Sequence, residues 1–241
     1  MPLNENHLFH QIYMIARKLL YNRYSLAFLY LRGKGIEIGA LHNPLMVSPW
    51  TKVRYVDRMT VAELRLQYPE LNEKKLKPVD VVANGELLES IADASQDFVI
   101  ANHFLEHCQN PLLALENMFR VLRVDGVLYL ALPDKRYTFD RVRPVTTLEH
   151  LRRDYSEAPE CSRREHFQEW VRLVNGITDP EMMHRQVEQL LEMEYSIHYH
   201  VWTQQEMLEL LQYLAKQIPS EIEVMLRNKG EVIFIIRKAG A

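Results

Sequence analysis

The chain has 241 residues, 47% of them hydrophobic and 25% charged, as expected for a globular protein with a sizeable core. Its formal net charge of −3 at pH 7 gives no reason to expect nucleic acid as the main partner. The two cysteines, Cys108 and Cys161, are too few for a disulfide framework or a zinc cluster, so a reducing cytoplasm is the expected location.

An apolar, tyrosine-rich segment, residues 7–31, precedes the first strand. Its apolar residues recur near helical spacing, which predicts one or two amphipathic helices and a helical extension over residues 1–32. Arg17, Lys18 and Arg23 interrupt the segment, so it is not predicted to span a membrane. We expect these helices to pack on the edge of a sheet. A peripheral membrane contact is the alternative, because tyrosines and cations mix with apolar residues there.

Strands and helices alternate along the next part of the chain. Strands are predicted near 35–39, 53–57, 79–83, 97–101 and 126–132, and helices near 60–68 and 111–122. Uninterrupted apolar runs such as residues 98–101 are typical of strands covered on both faces, hence of a parallel sheet. Two final strands, near 221–227 and 231–237, are predicted to form an antiparallel hairpin around Asn228-Lys229-Gly230.

A polar, arginine-rich segment separates the fifth strand from the last helix. Helices are predicted within it near 146–155, 163–174 and 180–194. The last helix begins after Thr203, which forms a capping box with Glu206. The sequence therefore predicts one α/β domain over residues 33–241, with a helical insertion at about 134–200.

The most informative stretch, residues 34–57, reads KGIEIGALHNPLMVSPWTKVRYVD. A short apolar strand ends near Glu37 and Gly39, and a second strand ends at Asp57. Glycine lets the backbone approach a ligand closely. A carboxylate about 20 residues later can hydrogen-bond both ribose hydroxyls of a nucleoside cofactor. The stretch therefore predicts a nucleoside-cofactor site.

A second informative segment, residues 93–133, reads DASQDFVIANHFLEHCQNPLLALENMFRVLRVDGVLYLALP. It holds a buried-type strand, the pair Glu106-His107, a helix, and a strand entered at Gly126. With these motifs the chain resembles the class I S-adenosylmethionine-dependent methyltransferases, and more narrowly their methyltransferase-11-type branch, over roughly residues 34–240. Its opening Glu-Ile-Gly-x-Leu-His-x-Pro-Leu resembles a subgroup often associated with glycan biosynthesis.

The resemblance implies a Rossmann-like fold with a mostly parallel seven-stranded sheet and an antiparallel C-terminal hairpin. It also implies S-adenosyl-L-methionine as the cofactor. The implied cofactor-binding residues are Glu37, Gly39, Ala40, Asp57, Arg58, Asn84, Gly85, Glu86, Leu87, Asn102, His103 and His107. Two loop positions that are usually glycine in the family are Leu41 and Asn43 here; asparagine tolerates a left-handed backbone, whereas leucine does so poorly. The family's usual first helix is expected to be short or missing.

Methyl transfer to a small or glycan-like acceptor, with a hydroxyl as the leading candidate, is the implied reaction. A hydroxyl acceptor usually needs a base to take its proton. Potential bases on the insertion or near strand ends are Asp134, His150, His166, His198 and His200, and the base is predicted among His103, His166, His198 and His200. Cationic side chains after the fifth strand could grip a phosphate or carboxylate, so the predicted acceptor-binding residues are Asp134, Arg136, Arg141 and Arg143. His103 and His107 have an i, i+4 spacing, but pocket-lining or packing roles are commoner and no metal site is predicted.

Two other functions stay open at this point. Leu41 and Asn43 at glycine positions would suit a non-catalytic binding module that keeps the fold. Tyr30 and Lys34 have the spacing of a catalytic pair in nicotinamide-dependent sugar epimerases or reductases. That pair precedes the first strand, however, and no Gly-x-Gly-x-x-Gly motif follows that strand. Binding and turnover of S-adenosylmethionine would distinguish these functions.

Overall fold

The computed structural model describes residues 21–240, whose strands form a single seven-stranded sheet. In chain order the strands are β1 (Lys34–Ile38), β2 (Lys52–Asp57), β3 (Val81–Val82), β4 (Gln96–Asn102), β5 (Leu122–Pro133), β6 (Ser220–Asn228) and β7 (Glu231–Lys238). Their order across the sheet is β3-β2-β1-β4-β5-β7-β6. The first five strands run parallel to one another, and β7 lies between β5 and β6 and runs antiparallel to both. The predicted sheet and its terminal hairpin are confirmed.

Helices connect these strands at the predicted places. Within residues 21–240 the α-helices are α1 (Arg23–Tyr30), α2 (Val61–Gln67), α3 (Pro111–Val121), α4 (Leu148–Glu157), α5 (Glu160–Leu173), α6 (Pro180–Glu192) and α7 (Gln204–Ala215). Thr203 and Glu206 form the predicted capping box at the start of α7. Between β1 and β2 the described chain forms turns and no helix, which confirms that the family's usual first helix is missing.

Both faces of the sheet are covered by apolar side chains, as the run 98–101 predicts. Val99 and Ala101 belong to a core that includes α3 and α7. Phe98 and Ile100 belong to a second core on the opposite face, together with residues of α1. Successive residues of a strand point to opposite faces, so a strand between two layers needs apolar residues throughout.

Helix α1 lies in the described part of the N-terminal segment, and it packs on one face of the sheet, against inner strands, and not on the expected edge. Leu26 and Ala27 are buried, and the Tyr129 hydroxyl donates a hydrogen bond of 2.9 Å to the Arg23 carbonyl. Residues 1–20, where most of the predicted helical extension falls, lie outside the described residues. No helix between residues 21 and 240 is both long enough and apolar enough to cross a membrane. The peripheral membrane contact of residues 7–31 stays a prediction.

The insertion after β5 carries α4, α5 and α6 and has a small core of its own. Phe167 and Val171 of α5 pack there against Val187 of α6, with Ile197 and Tyr199 from the chain that leads to α7. This packing places residues 194–199 opposite the carboxyl ends of the first strands. The insertion therefore supplies one wall of the cleft described next.

Candidate active site

A cleft of about 650 Å³ opens at the carboxyl ends of β1, β2 and β3. Parallel sheets bind ligands at this edge, where the strand order reverses. Here β1 lies between β2 and β4, which is the point of reversal. The volume falls within the roughly 300–1,000 Å³ typical of small-molecule sites. The insertion forms the opposite wall of the cleft through Arg163, Glu194, Tyr195, Ser196 and Tyr199.

Seven of the twelve predicted cofactor-binding residues line this cleft. They are Gly39, Asp57, Arg58, Asn84, Gly85, Glu86 and His107. The other five lie outside the lining: Glu37, Ala40, Leu87, Asn102 and His103. The fold thus brings the ends of three separate strands together, as the sequence motif requires.

Asp57 ends β2 with its carboxylate at the cleft. Burial raises the pKa of this carboxyl, although hydrogen bonds from the backbone of Arg58 and Met59 oppose the shift. A partly desolvated carboxylate binds hydroxyl donors more strongly than a hydrated one. Arg58 itself donates a hydrogen bond of 2.7 Å to the Tyr68 hydroxyl at the rim.

Other polar residues of this wall are already engaged within the protein. The Asn84 side chain accepts from the Glu86 backbone at 2.8 Å. The Glu86 carboxylate accepts from the backbone of Gln109 at 2.8 Å and of Asn110 at 3.0 Å. Glu86 therefore fixes the loop after β3 to the start of α3, and its geometry favours a structural task.

The loop after β1 carries a strained leucine. Gly39 and Leu41 both have left-handed backbone angles, with φ of 65° and 47°. A leucine in this conformation costs roughly 1–2 kcal/mol. Two hydrogen bonds hold the loop in place, from Asn43 N to Ala40 O at 2.9 Å and from Lys77 N to Leu41 O at 2.8 Å. The surrounding contacts therefore offset the strain at Leu41.

Phe104 is a lining residue that sequence reasoning missed. A Cβ added to Gly85 would lie 2.6 Å from its ring, and one added to Gly39 would lie 3.7 Å from it. The ring thus occupies the space that two glycines leave open. A large aromatic residue directly after β4 was the available signal.

The buried Glu37 carboxylate near the end of β1 has partners within the protein. Its Oε1 accepts a hydrogen bond from Leu45 N at 2.8 Å. Burial raises the pKa of Glu37 to about 7, although hydrogen bonds from the Leu45 backbone and the Asn102 side chain oppose the shift. Glu37 and Asn102 therefore lie together just behind the residues that line the cleft.

The four predicted bases lie in three different surroundings. His103 Nε2 lies 2.8 Å from Glu231, outside the cleft lining. Burial alone would lower the pKa of His103, but Glu231 and Glu106 outweigh it and raise the pKa. His166 and His200 lie in a buried cluster within the insertion.

His198, the fourth predicted base, contacts a residue of the cleft. Its Nδ1 lies 2.7 Å from Asp140 Oδ2, and its ring meets the His107 ring edge-on with centroids 4.7 Å apart. His107 lines the cleft, and its Nδ1 lies 2.9 Å from the Ile197 carbonyl. Burial lowers the pKa of His107 to about 3, so this imidazole is neutral near pH 7. A neutral imidazole that donates from Nδ1 can accept a hydrogen bond at Nε2.

None of the four predicted acceptor-binding residues lines the cleft. Arg136 Nη2 pairs with the buried Asp134 at 2.6 Å, and Arg141 is exposed. Arg143 is fully buried and pairs with Asp140 at 2.9 Å. Their role in acceptor binding stays a prediction.

Comparison with known proteins identifies a methyltransferase domain within the chain. A family model described as a methyltransferase domain, type 11, matches residues 38–130, from the end of β1 into β5. A search of curated proteins gives no significant match. Similar solved structures include the carbon methyltransferase CurJ, at 14% identity and a TM-score of 0.47 over 88% of this chain and 50% of that one. This chain therefore spans about half the length of that protein.

Two further solved structures match over most of both chains. A methyltransferase from Aquifex aeolicus has 13% identity and a TM-score of 0.49, covering 93% of each chain. One from Methanosarcina mazei has 19% identity and a TM-score of 0.47, covering 88% of this chain and 95% of that one. Likenesses of this size add no argument, so the assignment rests on the matched domain, the strand order with its antiparallel β7, and the cleft. Residues 38–130 thus match a methyltransferase domain, within a fold of the class I S-adenosylmethionine-dependent methyltransferase type.

Proposed function

We propose that this protein methylates a hydroxyl of a small, glycan-like acceptor bound between the cofactor and the insertion. The observation that carries the proposal is the two-walled cleft. One wall holds the strand ends expected to bind the cofactor, and the other holds tyrosines and hydrogen-bonding groups of the insertion. The acceptor class also follows the resemblance of the opening motif to a glycan-associated subgroup.

Residues of the first wall fit S-adenosylmethionine in three places. Asp57 would bind the ribose hydroxyls, and Asn84 with Gly85 would contact the adenine edge. Glu37 and Asn102, which lie behind this lining near the ends of β1 and β4, would contact the cationic amino group and the carboxylate of the methionine part. The cofactor supplies a methyl group already activated by its sulfonium, so the protein's main task is alignment.

The second wall fits an acceptor with both apolar and hydroxyl-bearing faces. Tyr195 and Tyr199 present a flat apolar ring with a polar tip, and Ser196 and Arg163 add hydrogen-bonding groups. Burial raises the pKa of Tyr199, so its hydroxyl stays protonated at neutral pH and can donate to an acceptor oxygen. These are groups that bind and orient an uncharged polyhydroxyl compound.

We assign removal of the proton of the acceptor hydroxyl to the pair His107 and His198. His107 reaches the cleft and is neutral, so it can accept a hydrogen bond from the acceptor hydroxyl. A pKa of about 3 makes it a weak base by itself. His198 lies against it with Asp140 as its orienting carboxylate, which is the arrangement of a histidine that takes up a proton.

Calorimetric titration with S-adenosylmethionine and S-adenosylhomocysteine tests the cofactor site first. Asp57→Ala should weaken binding at least tenfold, since a charge-assisted hydrogen bond contributes roughly 1.5–3 kcal/mol. The melting temperature of the free protein should hardly change. Glu73→Ala, an exposed carboxylate outside the cleft lining, is the matched control. Unchanged affinity of the Asp57 variant would remove this residue from the site.

Transfer of labelled methyl groups to a panel of acceptors tests the rest of the proposal. Sugars with free hydroxyls should be labelled, and the product should resist mild base, as an ether does and a methyl ester does not. Labelling confined to amines, carboxylates or carbon would overturn the hydroxyl assignment while leaving the cofactor site intact.

A further inference from the structure

Four side chains with metal-binding atoms converge inside the insertion. His150 and Asp154 lie one turn apart on α4, His166 lies on α5, and His200 lies on the chain that leads to α7. Their donor atoms all lie within 4.8 Å of one another. His150 Nε2 is 3.0 Å from Asp154 Oδ2 and 3.1 Å from His166 Nε2. The Nε2 atoms of His166 and His200 are each 3.9 Å from the same Asp154 oxygen.

The cluster is largely buried around a single carboxylate. The side chains of Asp154 and His200 are 1% and 0% exposed, that of His166 is 10% exposed, and that of His150 is 25% exposed. Asp154 Oδ2 lies 3.0 Å from His150 Nε2, and the side chains of His166 and Ser162 also approach this carboxylate. A buried carboxylate is costly unless hydrogen-bond donors or a cation compensate it. The described residues around Asp154 offer imidazoles and no lysine or arginine ion pair.

The separations suit one small cation at the centre. Zinc binds imidazole nitrogen and carboxylate oxygen at about 2.0–2.2 Å in a tetrahedron, which places ligand atoms roughly 3.3–3.5 Å apart. Four of the six separations are 3.0–3.9 Å and bracket that value, and all six are within 4.8 Å. His200 Nε2 also lies 3.3 Å from the Gln109 carbonyl, a contact that a metal bond would replace. Three imidazoles and one carboxylate form a donor set that suits zinc.

We propose that His150, Asp154, His166 and His200 form a structural zinc site that fastens the insertion together. Four protein ligands close the coordination sphere, which is the pattern of a structural ion and not of a catalytic one. The site joins α4, α5 and the segment before α7, three parts of the chain that meet only through tertiary contacts. This inference does not depend on the methyl acceptor.

The site also supports one wall of the cleft. The His166 ring meets the Tyr199 ring edge-on, with centroids 5.8 Å apart, and Tyr199 lines the cleft. The bound ion would fix His166, which contacts Tyr199, and His200, which follows Tyr199 in the sequence. Its function is therefore to hold the acceptor wall in position.

Metal content and thermal unfolding of the full-length protein test the site directly. After removal of metal with a chelator, zinc should bind at one equivalent per chain in a competition titration. A free zinc concentration 100-fold above its Kd should raise the melting temperature by roughly 5–10 °C. Cobalt(II) should give the intense visible absorption of tetrahedral coordination. If the chelated wild-type protein neither binds zinc stoichiometrically nor gains stability from it, the proposal is wrong, whatever the variants do.

Variants then locate the ion. His166→Gln and Asp154→Asn should each weaken zinc binding by more than the roughly 10–100-fold typical of removing an outer-shell partner. His184→Gln, an exposed histidine of α6, is the control and should bind zinc like the wild type. Zinc binding that survives in both His166→Gln and Asp154→Asn would place the ion elsewhere and overturn the assignment.

Discussion

Replacement of Arg143 by methionine should destabilise the protein strongly, because this guanidinium joins three separate parts of the insertion. Its side chain is 1% exposed and pairs with Asp140 at 2.9 Å and with Glu169 at 2.8 Å. It also donates to the carbonyls of His198 at 2.8 Å and Tyr199 at 3.2 Å. Methionine fills similar space but offers no donor, so each of these acceptors loses a bond.

The expected magnitude follows from the burial of Asp140, whose side chain is also 1% exposed. Breaking a buried ion pair on one side costs about 3–5 kcal/mol, since the partner charge stays buried. For a chain of this size that lowers the melting temperature by roughly 6–20 °C. A second replacement, Asp140→Asn, removes the stranded charge, so the double variant should recover part of the loss.

Urea unfolding followed by tryptophan fluorescence measures this difference, with Arg141→Met as the control. Arg141 is exposed and only two residues away, so its replacement should change the free energy of unfolding by less than about 0.5 kcal/mol. Equal free energies of unfolding for Arg143→Met and Arg141→Met would refute the reasoning. A double variant, Arg143→Met with Asp140→Asn, that is no more stable than Arg143→Met alone would refute the role given to the stranded charge.

Two further predictions concern the cofactor loop. Burial raises the pKa of Glu37 from 4.5 to about 7, so the folded state binds this proton more tightly than the unfolded state. The stability that this proton contributes to the folded state is therefore lost as pH rises through 7. Glu37→Gln should thus match the wild type near pH 5 and exceed it by up to about 3 kcal/mol above pH 7; a constant difference in urea unfolding across this range would contradict it. Leu41→Gly relieves left-handed strain of roughly 1–2 kcal/mol. Glycine also adds chain entropy to the unfolded state, which opposes this gain. The free energy of unfolding of Leu41→Gly should therefore be no more than about 1 kcal/mol below that of the wild type. Leu41→Val is the contrasting variant and should be less stable, and the reverse order would contradict the strain argument.

The sheet and the cofactor wall could be predicted from sequence because their signals are local. A buried strand shows itself as an apolar run, and the residues at its end follow it directly in the chain. Gly39 follows β1, Asp57 ends β2 and Gly85 lies in the loop after β3, and parallel pairing brings these positions to one edge. Phe104 was missed although it also follows a strand, because an aromatic residue in that position is equally compatible with the core.

The acceptor wall could not be predicted, because its signals are not local. Arg143 was predicted to grip an acceptor, and its guanidinium is buried against four protein acceptors: Asp140, Glu169 and the carbonyls of His198 and Tyr199. A formal charge in a sequence does not tell whether its partner is solvent, a ligand or a buried carboxylate. The same limit applies to His166 and His200, whose common partner Asp154 lies on a different helix from either of them.

The histidines show how this insertion is tied together. His198 is held by Asp140, and His150, His166 and His200 surround Asp154, so each group combines imidazoles with one buried carboxylate. Both groups bear on the same short stretch, residues 194–200, that faces the cofactor wall. Strand ends of the sheet position most of the facing wall, and its His107 ring alone meets the ring of His198. If the proposed acceptor site is correct, the position of the acceptor therefore depends on how the insertion is fastened, and the position of the cofactor depends on the sheet.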